Sequence, residues 1–359
     1  MKLEALGVLD RMGVLRAARA LQRPGCVILT YHGVLADSGG HDFLNHNFVP
    51  AQIFERHLKY ICQYYRPMPL RDLVSYYERG DVPPPRSLAL TFDDGFANNY
   101  TVAFPLLKRY GVPFTIFLTT GLIDSPGAQL WTERLKRAIY LCSADMVTLP
   151  VGGREVRHSL SSPAHREEAT RQMSLLLKSL PVGERDAALD AIESVCGRPA
   201  LTAAERERYD FLTWAQVREM MAAGVEFGSH TVQHPILSTL DTGSLHAEVV
   251  ESKRHIESSL GVPCETFAYP NGSSADYGER EKQALRAAGY RCALSLRGNL
   301  NGRRPDLFAL DRINIGRRLD DAAFEAEVVG LLGRARAVRR RLTRSAHARP
   351  VAHQQVART

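Results

Sequence analysis

The chain has 359 residues, of which 45% are apolar and 24% charged, and its formal net charge is +7. At about 150 residues per domain, this length allows two ordinary domains or one large α/β domain, and the composition excludes a disordered chain. No apolar run approaches the roughly 18 residues that a membrane-spanning helix needs, which excludes an integral membrane protein.

The N-terminal segment, residues 1–23, predicts an amphipathic helix. Its apolar residues recur at helical spacing between arginines, so the helix would either pack against the body of the protein or lie on a membrane surface. Glu4 and Asp10 interrupt the apolar positions, which argues against a secretory signal peptide. The six cysteines are scattered without a CxxC pair, as reduced thiols usually are. Together these features predict a cytoplasmic protein.

Alternating apolar runs and helical patterns fill the chain between its two ends. This alternation is typical of a mainly parallel α/β sheet, open or closed into a barrel, and predicts one domain over residues 24–320. Strands are predicted at Cys26–Tyr31, Leu88–Phe92, Phe114–Thr119, Val225–Ser229, Thr266–Tyr269, Cys292–Leu296 and Leu307–Ile313. Helices are predicted at Ala51–Tyr64, Asn98–Tyr110, Thr213–Ala223, Gly243–Leu260, Asp276–Ala288 and Asp321–Arg341.

One stretch, at about 130–208, interrupts the alternation with helical patterns and few strand-like runs. We expect an α-helical insertion over one end of the sheet, with helices at Trp131–Cys142, His165–Leu180 and Gly183–Cys196. Residues 321–359 form the last unit, a C-terminal helix that leads into an Arg-rich tail.

Positive charge is concentrated in that tail. From Arg334 onward the chain has eight arginines and no acidic residue, whereas residues 24–333 are mildly acidic. Such a tail either stays solvated or contacts anionic lipid or nucleic acid. Because the charge lies in a tail and not on a structured face, we expect no nucleic-acid partner. Peripheral contact of the basic ends with the inner face of a membrane stays open.

Polar residues cluster where the predicted strands end. Functional residues of parallel α/β folds gather at these positions, so several such clusters indicate one shared site. The clusters are Tyr31-His32, Asp93-Asp94-Gly95, Ser229-His230, Tyr269–Gly272 and Asp311-Arg312.

Asp93 and Asp94 are the first candidate pair. These adjacent carboxylates lie at the mouth of a buried strand, and Gly95 lets the backbone turn so that both can reach one centre. The same tripeptide is also a common surface turn, so it does not establish catalysis by itself.

His230 and His234 are the second candidate pair. Two imidazoles four residues apart can reach one metal ion, and Pro235 favours a single turn or a loop over a longer helix. One carboxylate with two imidazoles is the three-ligand set of a catalytic divalent site that keeps a position open for water. The second carboxylate would then be the base that deprotonates this water.

These motifs resemble those of the polysaccharide deacetylases of the NodB homology type, carbohydrate esterase family 4. The resemblance is carried by Leu90–Gly95, Gly228–Pro235 and Phe267–Gly272, in that order, and it covers roughly Cys26–Arg318. The segments Tyr31–Gly33 and Trp131–Leu135 further resemble the branch associated with exopolysaccharide biosynthesis. The resemblance implies a distorted (β/α) barrel and a metal-dependent hydrolase that removes N-acetyl groups from a saccharide, giving acetate and a free amine.

The resemblance also implies roles for individual residues. Asp94, His230 and His234 would hold a divalent metal ion, usually zinc in this family. Asp93 would take a proton from the attacking water, and a main-chain N–H near Tyr269 would help to hold the tetrahedral oxyanion.

Two later motifs of the family are matched differently. Arg312 corresponds to an arginine that orients the base, but a Leu-x-His motif, whose imidazole protonates the leaving amine, is missing. After His255 the sequence has histidines only in the C-terminal tail. His32 is our candidate for the acid because it ends a buried strand beside Asp93, and a structural strand-end histidine is the equal alternative.

Trp131 and Asn271 are the candidate substrate-binding residues. Trp131 would stack on a sugar ring, or else belong to the core, as buried aromatic side chains usually do.

Two other functions of the protein stay open: a hydrolase of another non-peptide carbon–nitrogen bond on the same scaffold, and a carbohydrate-binding module without catalysis.

Overall fold

The computed structural model of the chain describes residues 12–21, 25–36, 47–151, 154–317 and 319–338. At its centre lies a parallel nine-stranded sheet that is nearly closed into a barrel, as predicted. The strands are β1 (Cys26–Tyr31), β2 (Gly33–Leu35), β3 (Phe48–Pro50), β4 (Arg66–Pro67), β5 (Ser87–Phe92), β6 (Phe114–Leu118), β7 (Met146–Val151), β8 (Arg154–Ser159), β9 (Glu226–Ser229), β10 (Thr266–Ala268), β11 (Cys292–Ser295), β12 (Leu310–Asp311) and β13 (Ile313–Asn314).

The order of strands around this sheet is β12-β11-β10-β9-β6-β5-β1-β13, with β4 paired to β5. The central strands are apolar on both faces: every residue of β1, β5 and β6 is buried, as expected for parallel strands covered by helices. The two edge strands of this order, β12 and β13, are separated in the chain by Arg312 alone. The barrel is therefore nearly closed at the position of Arg312.

Helices pack around the sheet. Helix α2 illustrates how the sequence places these helices against the sheet. Its buried Phe54, Leu58 and Ile61 recur at helical spacing and so form one apolar face. The helices are α1 (Val14–Ala20), α2 (Ala51–Tyr64), α3 (Leu70–Glu78), α4 (Phe104–Tyr110), α5 (Trp131–Leu141), α6 (Pro163–Lys178), α7 (Val182–Cys196), α8 (Ala203–Tyr209), α9 (Trp214–Ala222), α10 (Thr242–Leu260), α11 (Glu279–Ala287) and α12 (Asp321–Val328). No helix among these is long and apolar enough to cross a membrane, within the described residues.

The insertion predicted at 130–208 has a hydrophobic core of its own. Leu135, Ile139, Met173, Leu189 and Ile192 are buried together between α5, α6 and α7. The insertion also contains two strands, because β7 and β8 form an antiparallel hairpin within it. The prediction missed this hairpin because its second strand is largely polar and shows no apolar alternation.

Two further predictions need correction. The stretch Leu307–Ile313 is not one strand: a short 3₁₀ turn at Leu307–Ala309 is capped by Asp306, whose side chain accepts from the N–H of Phe308 at 2.9 Å. The predicted helix Asp321–Arg341 is interrupted at Gly330, whose φ of 78° ends α12, and a second helical run covers 331–338.

The two ends of the described chain pack together. Leu15 of α1 is fully buried in a cluster with Ala323, Ala326 and Val329 of the C-terminal segment. Arg19 adds an ion pair to Glu325 at 2.9 Å. The remainder of the basic tail and residues 1–11 of the predicted N-terminal helix lie outside the described residues. The membrane contact considered for the basic ends falls mostly on these residues.

Candidate active site

Four buried side chains meet at the carboxyl end of the barrel strands. Asp93 and Asp94 follow β5, His230 follows β9, and Arg312 lies between β12 and β13. These positions belong to three of the clusters that the sequence placed at strand ends.

Asp93 and Arg312 form a bidentate ion pair inside the barrel. Nη1 and Nη2 of Arg312 donate to Oδ1 and Oδ2 of Asp93 at 2.6 and 2.8 Å. Nη1 also donates to Oγ1 of Thr30 at 3.1 Å and to Oγ1 of Thr91 at 3.3 Å. Burial alone would raise the pKa of Asp93, but the charge and hydrogen bonds of Arg312, together with the neighbouring His230 and His32, outweigh burial and lower this pKa to about 2. Asp93 is therefore an ionised proton acceptor in a fixed orientation.

Asp94, His230 and His234 bring three potential ligand atoms together, all within 4.8 Å of one another. Oδ1 of Asp94 lies 3.6 Å from Nε2 of His230 and 3.4 Å from Nε2 of His234. Within the described part of the chain, this is the one group of His, Cys, Asp and Glu side chains close enough to share an ion.

The backbone around these residues adopts an unusual conformation. Six non-glycine residues in the described ranges have positive φ, and four of them belong to this region: Asp94 (74°), Thr231 (71°), His234 (56°) and Asn271 (59°). Such conformations cost free energy and persist where the surrounding structure enforces them, typically at functional sites. His230 and His234 lie on a loop, as Pro235 predicted.

His230 is held in a defined tautomer. Its Nδ1 lies 2.7 Å from the carbonyl oxygen of Ala268. Because a carbonyl only accepts, Nδ1 carries the hydrogen, and Nε2 keeps its lone pair toward Asp94. Ala268 ends β10 and belongs to the third motif, Phe267–Gly272. This motif therefore orients His230, which follows the neighbouring strand β9.

The loop that carries His234 is fixed by two side chains, Thr231 within the loop and Glu248 of α10. Oγ1 of Thr231 accepts from the N–H of His234 at 2.9 Å. Glu248 of α10 accepts from the N–H groups of Val232 and Gln233 at 2.7 and 3.0 Å. No local motif signals Glu248, because it reaches the loop from another element.

The chemistry of Asp94, His230 and His234 fits a divalent cation. Oδ1 of Asp94 is buried and has no hydrogen-bond partner. Burial and the charge of Asp93 raise the pKa of Asp94 well above its usual range, so its ionisation calls for a positive charge nearby. Burial lowers the pKa of both histidines, which keeps the imidazoles neutral. Two neutral imidazoles and a carboxylate are the ligand set of zinc and similar ions.

Comparison with known families identifies the family of the chain. A sequence model described as "polysaccharide deacetylase" matches residues 80–149 and 186–293, which include Asp93, Asp94, His230 and His234. The chain belongs to the polysaccharide deacetylase family. It is accordingly an enzyme of the class that hydrolyses non-peptide carbon–nitrogen bonds. The unmatched residues between the two stretches lie in the insertion.

Relatives extend the likeness over most of the chain. YxkH of Bacillus subtilis (strain 168), whose name describes a polysaccharide deacetylase, is 20% identical over 302 residues. The match covers 84% of this chain and 75% of YxkH. The Streptococcus pyogenes deacetylase PplD, solved in complex with acetate, matches with a TM-score of 0.56 and 19% identity over 85% of this chain and 99% of its own. IcaB from Ammonifex degensii matches with a TM-score of 0.54 and 19% identity, and the match covers 85% of this chain and 97% of IcaB. The similarity to these solved structures establishes a shared fold.

His32, the candidate acid of this deacetylase-family chain, lies at the same end of the barrel. Its main-chain carbonyl accepts from Nδ2 of Asn99 at 2.9 Å, and its Nδ1 is buried without a hydrogen-bond partner. Burial lowers the pKa of His32 to about 4 against the attraction of Asp93, so the imidazole is neutral at pH 7. Any proton that it donates must therefore reach it during the reaction.

Tyr269 has a structural role. Its main-chain N–H donates to the carbonyl of Leu294 at 3.0 Å, and its hydroxyl donates to the carbonyl of Phe308 at 2.9 Å. Neither group is left to hold an oxyanion, which corrects the expectation for Tyr269 itself. The neighbouring Asn271 has a buried side-chain Nδ2 with no hydrogen-bond partner.

Trp131 is only 4% exposed and belongs to the core of the insertion, with the Arg185 guanidinium 5.4 Å from its ring centroid. It also lines a groove of about 640 Å³ between the insertion and α10. Gln233 and Pro235, the neighbours of His234 in the chain, line the same groove. The groove therefore runs beside the candidate metal site, and Trp131 contributes to its wall from the core.

Proposed function

We propose that this chain is a metal-dependent deacetylase that hydrolyses the N-acetyl group of a saccharide to acetate and a free amine. The observation that carries the proposal is the convergence of Asp94, His230 and His234 beside the ionised Asp93. Membership of the polysaccharide deacetylase family supports the saccharide, and the acetate in the related PplD structure is the product that such a reaction would release.

Asp94, His230 and His234 would hold the cation, for which zinc is the first choice. When bound, a divalent cation supplies Lewis-acid chemistry that favours attack of water on an acetyl carbonyl. Asp93 accepts the proton of that water. Arg312 keeps Asp93 ionised and fixes both of its oxygens, so the base is ready before substrate binds.

His32 would deliver a proton to the leaving amine. It lies close enough to Asp93 for their charges to interact, and its unpartnered Nδ1 has no competing protein contact. A neutral imidazole can accept a proton and pass it on within one turnover. Asn271 would donate its free amide N–H to the substrate.

The groove beside His234 supports a substrate larger than a single acetamide. Polar side chains suited to hydroxyl groups line it, including Arg134, Gln233, Ser244, Glu251 and His255. We infer that sugar units next to the reacting one occupy this groove, so oligosaccharides would be better substrates than N-acetylated monosaccharides.

The test is metal analysis combined with acetate release by the full chain, with Asp93→Asn and Asp94→Asn as a matched pair. We expect about one zinc per chain and acetate release from N-acetylated oligosaccharides. Asp93→Asn keeps the metal because Asp94, His230 and His234 are unchanged, and it loses about 10²–10⁴-fold in rate because the base is removed. Asp94→Asn loses both metal and activity.

Other outcomes would contradict the proposal in different ways. Metal binding with hydrolysis of cyclic amides but not of N-acetylated saccharides would favour another carbon–nitrogen hydrolase. Saccharide binding that survives Asp93→Asn, without acetate release by either protein, would favour a binding module.

A further inference from the structure

Two cysteines lie together at the ends of neighbouring helices in the insertion. Cys142 directly follows α5, and Cys196 is the last residue of α7. Cys142 is buried in the insertion core, and Cys196 is half-buried and packs against that core. The two thiols are close enough that Cys142 helps to raise the pKa of Cys196.

The contacts along α5 and α7 place the two cysteines at the same end of this helix pair. Trp131 at the start of α5 faces Arg185 near the start of α7, with 5.4 Å between guanidinium and ring centroid. Farther along, Nε of Arg134 donates to Oε1 of Glu193 at 2.9 Å. The two helices thus run side by side in the same direction, which brings their last residues together.

We propose that Cys142 and Cys196 form a disulfide bond. The oxidant is a low-molecular-weight disulfide such as oxidised glutathione. One protein thiolate attacks it to form a mixed disulfide and releases one molecule of reduced glutathione. The second protein thiolate then attacks the mixed disulfide, the new sulfur–sulfur bond forms, and a second reduced glutathione leaves. Both cysteines lose their thiol protons, and two electrons pass to the glutathione.

The location of the bond gives it a consequence for the groove. Helices α5 and α7 carry Trp131, Arg134 and Arg185, which form one wall of the groove. A disulfide at the far end of both helices closes a long loop through α6 and the β7–β8 hairpin, and it restricts separation of the helices. The oxidised protein therefore has a more rigid groove wall.

The surroundings of the pair also set its reactivity. Burial is the main cause, and the neighbouring Cys142 the second, of a rise in the pKa of Cys196 to about 12. The thiolate is therefore scarce at pH 7, and exchange is slow in the folded protein. Because the thiolate fraction grows about tenfold per pH unit below the pKa, the bond forms faster at pH 9 than at pH 7.

The test is a thiol count on the metal-free full chain after equilibration with oxidised and reduced glutathione at pH 7 and pH 9. We expect six alkylated cysteines to fall to four, with a cross-linked peptide that contains Cys142 and Cys196. The oxidised protein melts at least about 5 °C higher, and a phosphine reductant reverses the shift.

Matched variants make the assignment specific. Cys196→Ser abolishes the cross-linked peptide and the shift in Tm, whereas Cys62→Ser, at an exposed position on α2, preserves both. Cys142→Ser serves as a second test if the first variant folds poorly. Six free thiols at equilibrium at both pH values, or a cross-link between other cysteines, would overturn the proposal.

Discussion

Asp93 is ionised inside the barrel because Arg312 lies against it. Neither side chain is more than about 1% exposed, so each charge depends on the other for compensation. The pairing also places a positive charge beside a site that would hold a cation.

The first prediction concerns this pair. Arg312→Gln leaves Asp93 buried without its counter-charge, so we expect the free energy of unfolding of the metal-free protein at pH 7 to fall by about 3–5 kcal/mol. Guanidinium unfolding monitored by circular dichroism measures it. The double variant Asp93→Asn/Arg312→Gln should recover a large part of this loss, because no unpaired charge is left. Equal losses in the single and double variants would show that the ion pair is not what stabilises this region.

At the scale of single residues, the sequence predicted the site where its chemistry is local. The Asp93-Asp94 pair and the His230–His234 pair each lie within a few consecutive residues, and the structure brings Asp94, His230 and His234 together. Glu248 could not be predicted in the same way, since it acts on the histidine loop from a distant helix. The sequence also does not reveal that the N–H of Tyr269 itself is used within the sheet.

Among the elements, helix α1 has one fully buried side chain, Leu15. Leu15 is fully buried against α12 and Val329, while Leu21 directly after the helix is 77% exposed.

The second prediction follows from this difference in exposure between Leu15 and Leu21. Leu15→Ala opens a cavity at the docking face, so amide hydrogen exchange in residues 14–20 should become at least about tenfold faster with little change in β1 and β5.

Leu21→Ala is the matched control for that exchange experiment. It makes the same chemical change at an exposed position, so the exchange rates of residues 14–20 should stay as they are in the unmodified protein. Equal effects of the two substitutions would contradict the role of Leu15 in docking the helix.

Element prediction succeeded where hydrophobic periodicity is strong. The bounds of α2 and β1 agree with the predicted ones to the residue, because α2 has one clear apolar stripe and β1 is continuously apolar. Strands β12 and β13 have two residues each, which is too short for a hydrophobic periodicity to be recognised in the sequence. Their place in the barrel is set by pairing with β11 and β1, which are distant in the chain.

For the whole molecule, the barrel is joined to its C-terminal segment by a buried histidine. His57 of α2 stacks on Phe324 of α12 with ring centroids 3.8 Å apart, and its Nδ1 lies 3.1 Å from the hydroxyl of Tyr31 in β1. Its Nε2 is buried without a hydrogen-bond partner. His57 therefore connects three elements through a side chain that must stay neutral.

The third prediction is that His57 makes the protein less stable in acid. Burial lowers the pKa of His57 from 6.5 to about 3, so below pH 6.5 the unfolded chain binds a proton that the folded chain does not. The free energy of unfolding consequently falls by about 1.4 kcal/mol per pH unit from this residue as the pH decreases from 6.5 toward 3. His57→Gln removes the titration, so urea unfolding of metal-free protein between pH 7 and pH 4 should show a shallower slope. His246→Gln, at an exposed position of α10, should leave the slope unchanged, and a His57→Gln slope equal to that of the unmodified protein would assign the acid sensitivity to other groups.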